Sequence, residues 1–145
     1  MAWQVSVFLQ NKPGRLEKIT AVLMENKINI RAMTLATSSG GWGVLNLLVD
    51  QPQKAKDMLS ASGHPAALRE IVVVEMGDKP GSLHSVLALL ANTGLNIETA
   101  YGTVLQEKKS AILVIDVESV TVGKAKETLV KAGVKLLEDE AIYAI

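Results

Sequence analysis

Apolar and polar residues alternate at the start of the chain, from Trp3 to Leu9. This period of two predicts a β-strand with one face on a core, with Phe8 as an exception on the outer face. After Pro13 and Gly14, apolar residues recur at spacings of three, four and seven, which predicts an amphipathic helix. This helix should end near Asn26-Lys27, because asparagine readily takes the left-handed conformation that closes a helix.

The same pattern occurs a second time. A shift of 67 residues places Pro13 on Pro80 and gives ten identities within 26 residues, where about one or two are expected by chance. Two further strands are predicted in each half, at 30–37 and 44–49 and at 97–105 and 111–117. Segments 38–41 and 106–109 join them as hairpins. A second helix and a last strand complete each half.

Strand, helix, strand, strand, helix, strand is the ferredoxin-like plan, an α+β fold with an antiparallel sheet and both helices on one face. We therefore predict two tandem domains, residues 1–68 and 69–145. The outward positions of the first strand are polar in the first domain and apolar, Ile71 and Val73, in the second. The terminal segment 141–145 is apolar throughout and predicts a strand covered on both faces. Another domain or a second chain is expected to cover these sheets.

The composition excludes several classes of function. Of the 145 residues, 48% are apolar and 21% charged, which predicts a folded protein. The formal net charge is zero and aromatics are only 3%, which argues against a nucleic-acid binder and against an RNA-recognition domain. No signal peptide or membrane-length apolar run is visible, so we expect a cytoplasmic protein that is not in a membrane. The lack of cysteine excludes disulfides, Cys-ligated zinc and thiol nucleophiles.

Few residues suggest catalysis. His64 and His84 occupy non-equivalent positions in the repeat, so we expect neither a metal site nor a cofactor. The glycine-rich segment 38–43 lacks the Lys-Ser/Thr of a phosphate-binding loop and is interpreted as a hairpin loop. The acidic segment 138–140 is interpreted as a solvated terminal turn.

Both halves share the corner between first strand and first helix, residues 10–16 and 77–83. A helix N-terminus presents unpaired N–H groups that suit a carboxylate, and the glycine lets a ligand approach the backbone. Asn11 or Asp78 could then accept a hydrogen bond from an ammonium group. Alternatively, Asn11 and Asp78 cap the helix while Pro-Gly shapes the turn. The residues alone leave both interpretations open.

The duplicated Asn/Asp-x-Pro-Gly-x-Leu corner, the segments 27–30 and 94–97 and the order of elements resemble ACT domains, the amino-acid-sensing modules of many biosynthetic enzymes. The resemblance covers nearly the whole chain, as two tandem ACT domains without a catalytic domain. In that family, ligands bind where two ACT domains join their sheets edge to edge. Serine-sensing members carry a histidine two residues before the corner asparagine. Here Leu9 and Met76 stand there, which leaves a larger or less polar ligand possible.

The resemblance implies a set of ligand-binding residues in the two corners and at the start of the second strand of each domain. Asn11 and Asp78 would hold the amino or carboxylate group of the ligand, and because they differ, the two loops need not bind equally. Asn29 and Asn96 would reach across from a neighbouring domain, or else are turn residues entering a strand. The implied set is Leu9, Asn11, Lys12, Pro13, Gly14, Arg15, Leu16, Asn29, Ile30, Met76, Asp78, Lys79, Pro80, Gly81, Ser82, Leu83, Asn96 and Ile97.

The resemblance further implies a free-standing, non-enzymatic regulatory protein that is a homodimer, binds an amino acid at ACT–ACT interfaces and acts on a metabolic enzyme or regulator. A ligand-independent adaptor that docks on a metabolic enzyme is the alternative. A small enzyme on the same scaffold is disfavoured because the sequence shows no acid–base pair, metal set or nucleophile.

Overall fold

The computed structural model describes residues 1–105, 107 and 109–144, without the side chain of Asp139. The chain forms two compact units. The N-terminal unit is Trp3–Arg69, and the C-terminal unit is Glu70–Ile145 together with Met1–Ala2. The units therefore divide one residue after the boundary expected from the sequence, and the first two residues cluster with the C-terminal unit.

The N-terminal unit contains three paired strands and two helices. Its elements are β1 (Ala2–Gln10), α1 (Arg15–Glu25), β2 (Ile30–Thr37), β3 (Trp42–Val49), α2 (Pro52–Ala61) and the beginning of β4 (Ala66–Gly77). β3 pairs antiparallel with β1 on one side and with β2 on the other. On the far side of β1, the amide of Phe8 donates to the carbonyl of Pro65 at 3.0 Å.

The hydrophobic core of the N-terminal unit lies between its sheet and its two helices. Alternate residues of β1 and β3 point to the same face of the sheet, where the apolar stripes of α1 and α2 cover them. The buried members are Val5, Val7, Leu9, Ile19, Leu23, Ile28, Leu45, Leu47, Val49, Ala55 and Leu59. Both helices consequently pack on one face, as the sequence predicts.

The C-terminal unit repeats the arrangement. Its elements are the main part of β4, α3 (Ser82–Ala91), β5 (Ile97–Leu105), β6 (Ser110–Val117), α4 (Val122–Lys131), β7 (Lys135–Leu137) and α5 (Asp139–Tyr143), with a 3-10 turn at Ser119–Thr121. The antiparallel strand order is β7-β4-β6-β5. The predicted ferredoxin-like α+β fold is thereby confirmed.

The core of the C-terminal unit uses the equivalent positions. Its buried residues are Val72, Val74, Val86, Leu90, Leu113, Ile115, Val117, Val122, Ala125 and Leu129. None of the helices in the described part of the chain is long and apolar enough to cross a membrane.

Turns form where the sequence predicts them. The amide of Ser38 donates to the carbonyl of Trp42 at 2.8 Å and closes the β2–β3 hairpin, so segment 38–41 is the hairpin loop, and Trp42 and Gly43 are the first residues of β3. Residues 106 and 108 of the β5–β6 connection lie outside the described residues. α1 ends at Glu25 with Asn26 as its C-cap, and Lys27 follows with a φ of 57°, a conformation that closes a helix. Gly94 takes the same role after α3, with a φ of 74°.

The prediction of a terminal strand at 141–145 is wrong. The last strand is β7, which pairs with residues 73–75 of β4. Asp139–Tyr143 forms the short helix α5, on which Ile142 is buried. Glu140 and Ala141 favour this outcome, because alanine has a high helix propensity and an acidic residue near a helix N-terminus is stabilised there. Residue 145 lies outside the described residues.

The interpretation of 138–140 as a solvated turn without partners is also wrong. The carboxylate of Glu138 forms ion pairs with the amino group of Met1 and with Lys126 Nζ, the latter at 3.0 Å. Lys126 Nζ also lies 3.0 Å from Glu70 Oε1. The end of the chain is therefore attached to α4 and to the start of the C-terminal unit.

Several sheet positions that face away from the helices are buried in both units, whereas Phe8 on that face of β1 is 50% exposed. In the N-terminal unit they carry a polar cluster, in which the Gln4 amide donates to Asn46 Oδ1 at 3.1 Å and the Ser6 hydroxyl donates to the same oxygen at 2.7 Å. In the C-terminal unit Ile71 and Val73 occupy the equivalent face. The predicted outward orientation holds, and the polar groups satisfy one another.

Candidate functional site

The corner of the N-terminal unit is a short turn held by backbone hydrogen bonds. Gly14 stands at the N-cap of α1 with a φ of 83°, in the left-handed region that glycine tolerates. The amide of Asn11 donates to the carbonyl of Gly41 at 2.8 Å, which ties the corner to the hairpin tip. The side chain of Asn11 is exposed, and no described residue forms a hydrogen bond with it.

The corner of the C-terminal unit has the same geometry. Gly81 stands at the N-cap of α3 with a φ of 89°, and the amide of Asp78 donates to the carbonyl of Lys109 at 3.2 Å. The carboxylate of Asp78 is exposed and has no partner among the described residues. The repeat therefore preserves a backbone turn and one outward polar side chain, amide in one unit and carboxylate in the other.

Helix capping by Asn11 and Asp78, the second interpretation of these residues, is not observed. The N-cap positions of α1 and α3 are the glycines, and neither helix has a side-chain cap. Lys18 and Ser85 instead donate their amides to the carbonyls of Gly14 and Gly81, at 3.1 and 3.0 Å. The corner side chains are thus left available for another role.

The other predicted corner residues divide between surface and core. In the first corner, Arg15 Nη2 donates to Gln10 Oε1 at 3.5 Å. Leu9 is buried in the core and Leu16 packs against it, so the structure gives both a packing role. The predicted site residues of the two corners that are exposed are Asn11, Lys12, Pro13, Gly14, Asp78, Lys79, Pro80, Gly81 and Leu83.

The residues predicted at the second strand do not meet the corner of their own unit. Asn29 and Asn96 are exposed just before β2 and β5, at the opposite end of the sheet from the corners. The amide of Asn29 donates to Asp50 Oδ1 at 3.0 Å, a contact that fixes the strand entry. Ile30 packs against the core and Ile97 is partly exposed. Asn29 and Asn96 could bind a ligand only at the corner of a different domain. Their role in ligand binding stays a prediction.

A cavity of about 440 Å³ opens beside the second corner, between α3 and β5. Five of the predicted site residues line it, namely Met76, Asp78, Lys79, Ser82 and Leu83. The remaining lining is contributed by Gly77, Leu87, Ala100, Tyr101, Gly102, Thr103, Val104, Ala111, Ile112 and Leu113. An apolar cleft with a few polar groups at one end is the usual form of a small-molecule site.

Sequence reasoning missed the strand side of this cavity. β5 contributes Ala100 and Gly102, two small residues on the helix-facing side of the sheet. The signal was present in the repeat, because the 67-residue shift places Ala100 on Met33 and Gly102 on Leu35. Replacement of two large side chains by small ones on one face of a strand predicts an unfilled space between that strand and the helix that covers it.

The opposite face of β5 carries the half-buried phenol of Tyr101. Burial raises the pKa of Tyr101, and the neighbouring carboxylate of Asp116 raises it further. Tyr101 therefore stays neutral at physiological pH. Within the described residues, no three His, Cys, Asp or Glu side chains are grouped as metal ligands would be.

The chain belongs to the ACT domain pair family, whose model matches residues 1–145. Protein BT0572 from Bacteroides thetaiotaomicron is similar in structure, with 31% identity and a TM-score of 0.89 over 99% of this chain and 96% of that one. UPF0237 protein MK1213 of Methanopyrus kandleri is 36% identical over 70 residues, which cover 47% of this chain and 78% of that protein. Two tandem ACT domains are therefore established.

The ligand-free regulatory subunit of aspartate kinase from Thermus thermophilus shares the fold. Its identity to this chain is 22% and the TM-score is 0.66, over 90% of this chain and 92% of the subunit. Membership of the family indicates a regulatory, ligand-binding role.

Proposed function

We propose that the protein is a non-enzymatic sensor that binds an amino acid at its corner loops and transmits that binding to a metabolic enzyme or regulator. The carboxylate of Asp78 carries the proposal, since it is exposed, has no partner among the described residues and stands beside a cavity. A carboxylate in this setting suits the ammonium group of an amino acid, because charge-assisted hydrogen bonds are about twice as strong as neutral ones.

The glycines give the ligand access to the backbone. Apart from their immediate neighbours in the chain and the backbone of the following helix, no described residue has an atom within 4 Å of the position that a Cβ would take at Gly14 or Gly81. The amides of Arg15 and Ser82 already donate to the carbonyls of Lys12 and Lys79, both at 3.2 Å, and the next two amides of each first helical turn have no partner within the helix. A ligand carboxylate is therefore favoured at the same corner that offers a carboxylate to the ligand ammonium.

A homodimer is part of the proposal. Among the described strands, β2 pairs only with β3 and β5 only with β6, so each has one free edge. Such edges pair readily with another strand, and joining ACT domains through them would complete the interface sites. Sedimentation of the full chain with and without amino acid tests this part.

The primary test is a thermal-shift screen of the full chain against the twenty amino acids, followed by calorimetry. A ligand at 100 times its dissociation constant adds about 2.7 kcal/mol. At about 2 to 4 °C per kcal/mol for this size, the midpoint should rise by about 5 to 11 °C. If no amino acid raises the midpoint, amino-acid sensing is refuted and the ligand-independent adaptor is favoured. For such an adaptor, the amount of enzyme that the protein captures in a pull-down should be the same with and without amino acid.

The two corners provide a matched pair of variants. Asp78→Asn gives the second corner the side chain of the first, and Asn11→Asp does the reverse. Loss of a charged hydrogen bond of about 1.5 to 3 kcal/mol should weaken binding about tenfold or more in Asp78→Asn. Equal affinity of both variants and the original chain would exclude Asp78 as the group that binds the ammonium.

A further inference from the structure

We infer that the C-terminal unit alone holds the ligand, and that the ligand is an amino acid with an apolar side chain, which enters the cavity between α3 and β5. The inference rests on the proposed function and adds two properties to it, the selectivity for the side chain and a stoichiometry of one ligand per chain. It follows from the lining of the cavity, from the charges at its mouth and from the difference between the two repeats.

The interior of the cavity is apolar. Leu83 and Leu87 of α3 form one wall, and Ala100 and Val104 of β5 form the other. The volume of about 440 Å³ lies within the range of about 300 to 1,000 Å³ that is typical of small-molecule sites. A charged or amide side chain placed here would lose its water without gaining hydrogen bonds, which is unfavourable. Aliphatic, thioether and phenyl side chains meet no such penalty.

The mouth of the cavity carries both signs of charge. Asp78 and Lys79 are adjacent, both are exposed and both line the cavity, and neither side chain has a partner among the described residues. A zwitterion places an ammonium and a carboxylate on one carbon atom, so this pair fits it at both ends. A simple amine or a simple carboxylic acid satisfies only one of the two.

The first repeat carries longer side chains at the positions equivalent to Ala100 and Gly102. In β2, Leu35 lies directly opposite Leu45, just as Gly102 lies opposite Leu113 in β5. Two positions earlier, Met33 stands where β5 has Ala100. Both longer side chains project on the helix-facing side of the sheet, the side on which the C-terminal unit has its cavity.

Backbone geometry fixes the missing side chain in β5. A Cβ at Gly102 would lie 2.6 Å from the carbonyl oxygen of Ile112, so only glycine fits where β5 approaches β6 this closely. Ala100 has no such restriction, since its Cβ already points toward the helix side. Ala100 is thus the position at which the cavity can be filled without disturbing the strand pairing.

The test is calorimetry of the full chain with two sets of probes. L-leucine, L-isoleucine, L-valine, L-methionine and L-phenylalanine form the apolar set, and L-serine, L-aspartate, L-lysine and L-glutamine form the polar set. We expect at least one apolar amino acid to bind at least tenfold more tightly than every polar one, at one per chain. The amine and the carboxylic acid derived from the best ligand, by removal of its carboxylate or its amino group, should each bind at least tenfold more weakly.

Ala100→Met should reduce the affinity at least tenfold, because it places the side chain of the first repeat in the cavity. Ala91→Met is the matched control, since it makes the same change at an exposed position at the end of α3 and should bind as the unsubstituted chain does. Circular dichroism of both variants verifies folding.

The outcomes separate this inference from the proposed function. Tightest binding of a polar amino acid, two ligands per chain, or unchanged affinity in Ala100→Met would overturn the inference while amino-acid sensing stands. Absence of binding by all twenty amino acids would overturn both. If Ala100→Met unfolds, Leu87→Phe fills the cavity from the helix side and is expected to weaken binding in the same way.

Discussion

Removal of Lys126 should destabilise the C-terminal unit. Lys126 Nζ lies 3.0 Å from both Glu70 Oε1 and Glu138 Oε1, and only 20% of its side chain is exposed. Lys126→Met keeps most of the aliphatic stem, removes the charge and leaves two carboxylates facing each other. The substitution therefore tests the electrostatic part of the cluster.

The magnitude follows from the exposure of the partners. The side chains of Glu70 and Glu138 are 25% and 43% exposed, so water screens the second pair more strongly. Exposed ion pairs contribute about 0.2 to 1 kcal/mol and hydrogen bonds to charged groups about 1.5 to 3. With the discount for screening, we expect a loss of about 1 to 2 kcal/mol and a midpoint lower by about 2 to 8 °C.

The pH dependence has a defined sign. Burial by itself raises the pKa of Glu138, but the hydrogen bonds from the amino group of Met1 and from Lys126 outweigh it, and the net pKa is lowered from 4.5. Burial alone lowers the pKa of Lys126, whereas its bonds to Glu70 and Glu138 raise it above 10.5. The carboxyl contribution is lost as pH falls through the folded pKa of Glu138, and the ammonium contribution as pH rises through that of Lys126. The stabilisation is complete only between the unfolded pKa values of the two groups, 4.5 for Glu138 and 10.5 for Lys126, and it declines outside this range.

Urea unfolding at pH 7 and pH 3 measures the effect. The penalty of Lys126→Met should be full at pH 7 and smaller at pH 3. Lys131→Met is the control, because Lys131 pairs with Glu127 at 2.7 Å on the exposed side of α4, where water screens the pair. An equal penalty at both pH values, or an equal penalty in the control, would refute the electrostatic reasoning.

Three further predictions concern the fold. Asn11→Ala should change stability by less than about 0.5 kcal/mol, because Gly14 and not Asn11 stands at the N-cap; a loss of about 1 kcal/mol in urea unfolding would restore the capping role. Leu59→Ala should cost about 2 to 5 kcal/mol by thermal unfolding, since Leu59 is fully buried between α2 and the sheet. Gly102→Ala should cost about 1 to 3 kcal/mol in the same assay, because its Cβ would meet the carbonyl of Ile112.

Local patterns were sufficient for most of the fold. The alternation at Val5 and Val7, the helical stripe at Ile19 and Leu23 and the Pro-Gly corner act over short distances in the chain, so the residues themselves carry the information. The duplication strengthened the prediction of the fold, because the same pattern of elements is found independently in each half of the chain. The order of strands and the one-sided packing of helices follow from these patterns and from the short connections between elements.

Tertiary structure decided the features that depend on distant residues. The sequence 141–144 is apolar enough for a strand, but β7 ends at Leu137 and the chain continues as a helix with Ile142 buried. Glu138 acquires its pairs because folding brings Lys126 and the amino group of Met1 beside it.

The cavity is another feature that depends on residues distant in the sequence. The sequence gives the small sizes of Ala100 and Gly102. These residues leave an open space only because of the way β5 pairs with β6 and α3 lies over both strands. From the sequence alone, Asn11 and Asp78 could be helix caps or ligand-binding groups. The structure excludes capping, because Gly14 and Gly81 occupy the N-cap positions. Short-range preferences determine the elements, whereas volume, pairing and exposure arise only when elements distant in sequence are packed together.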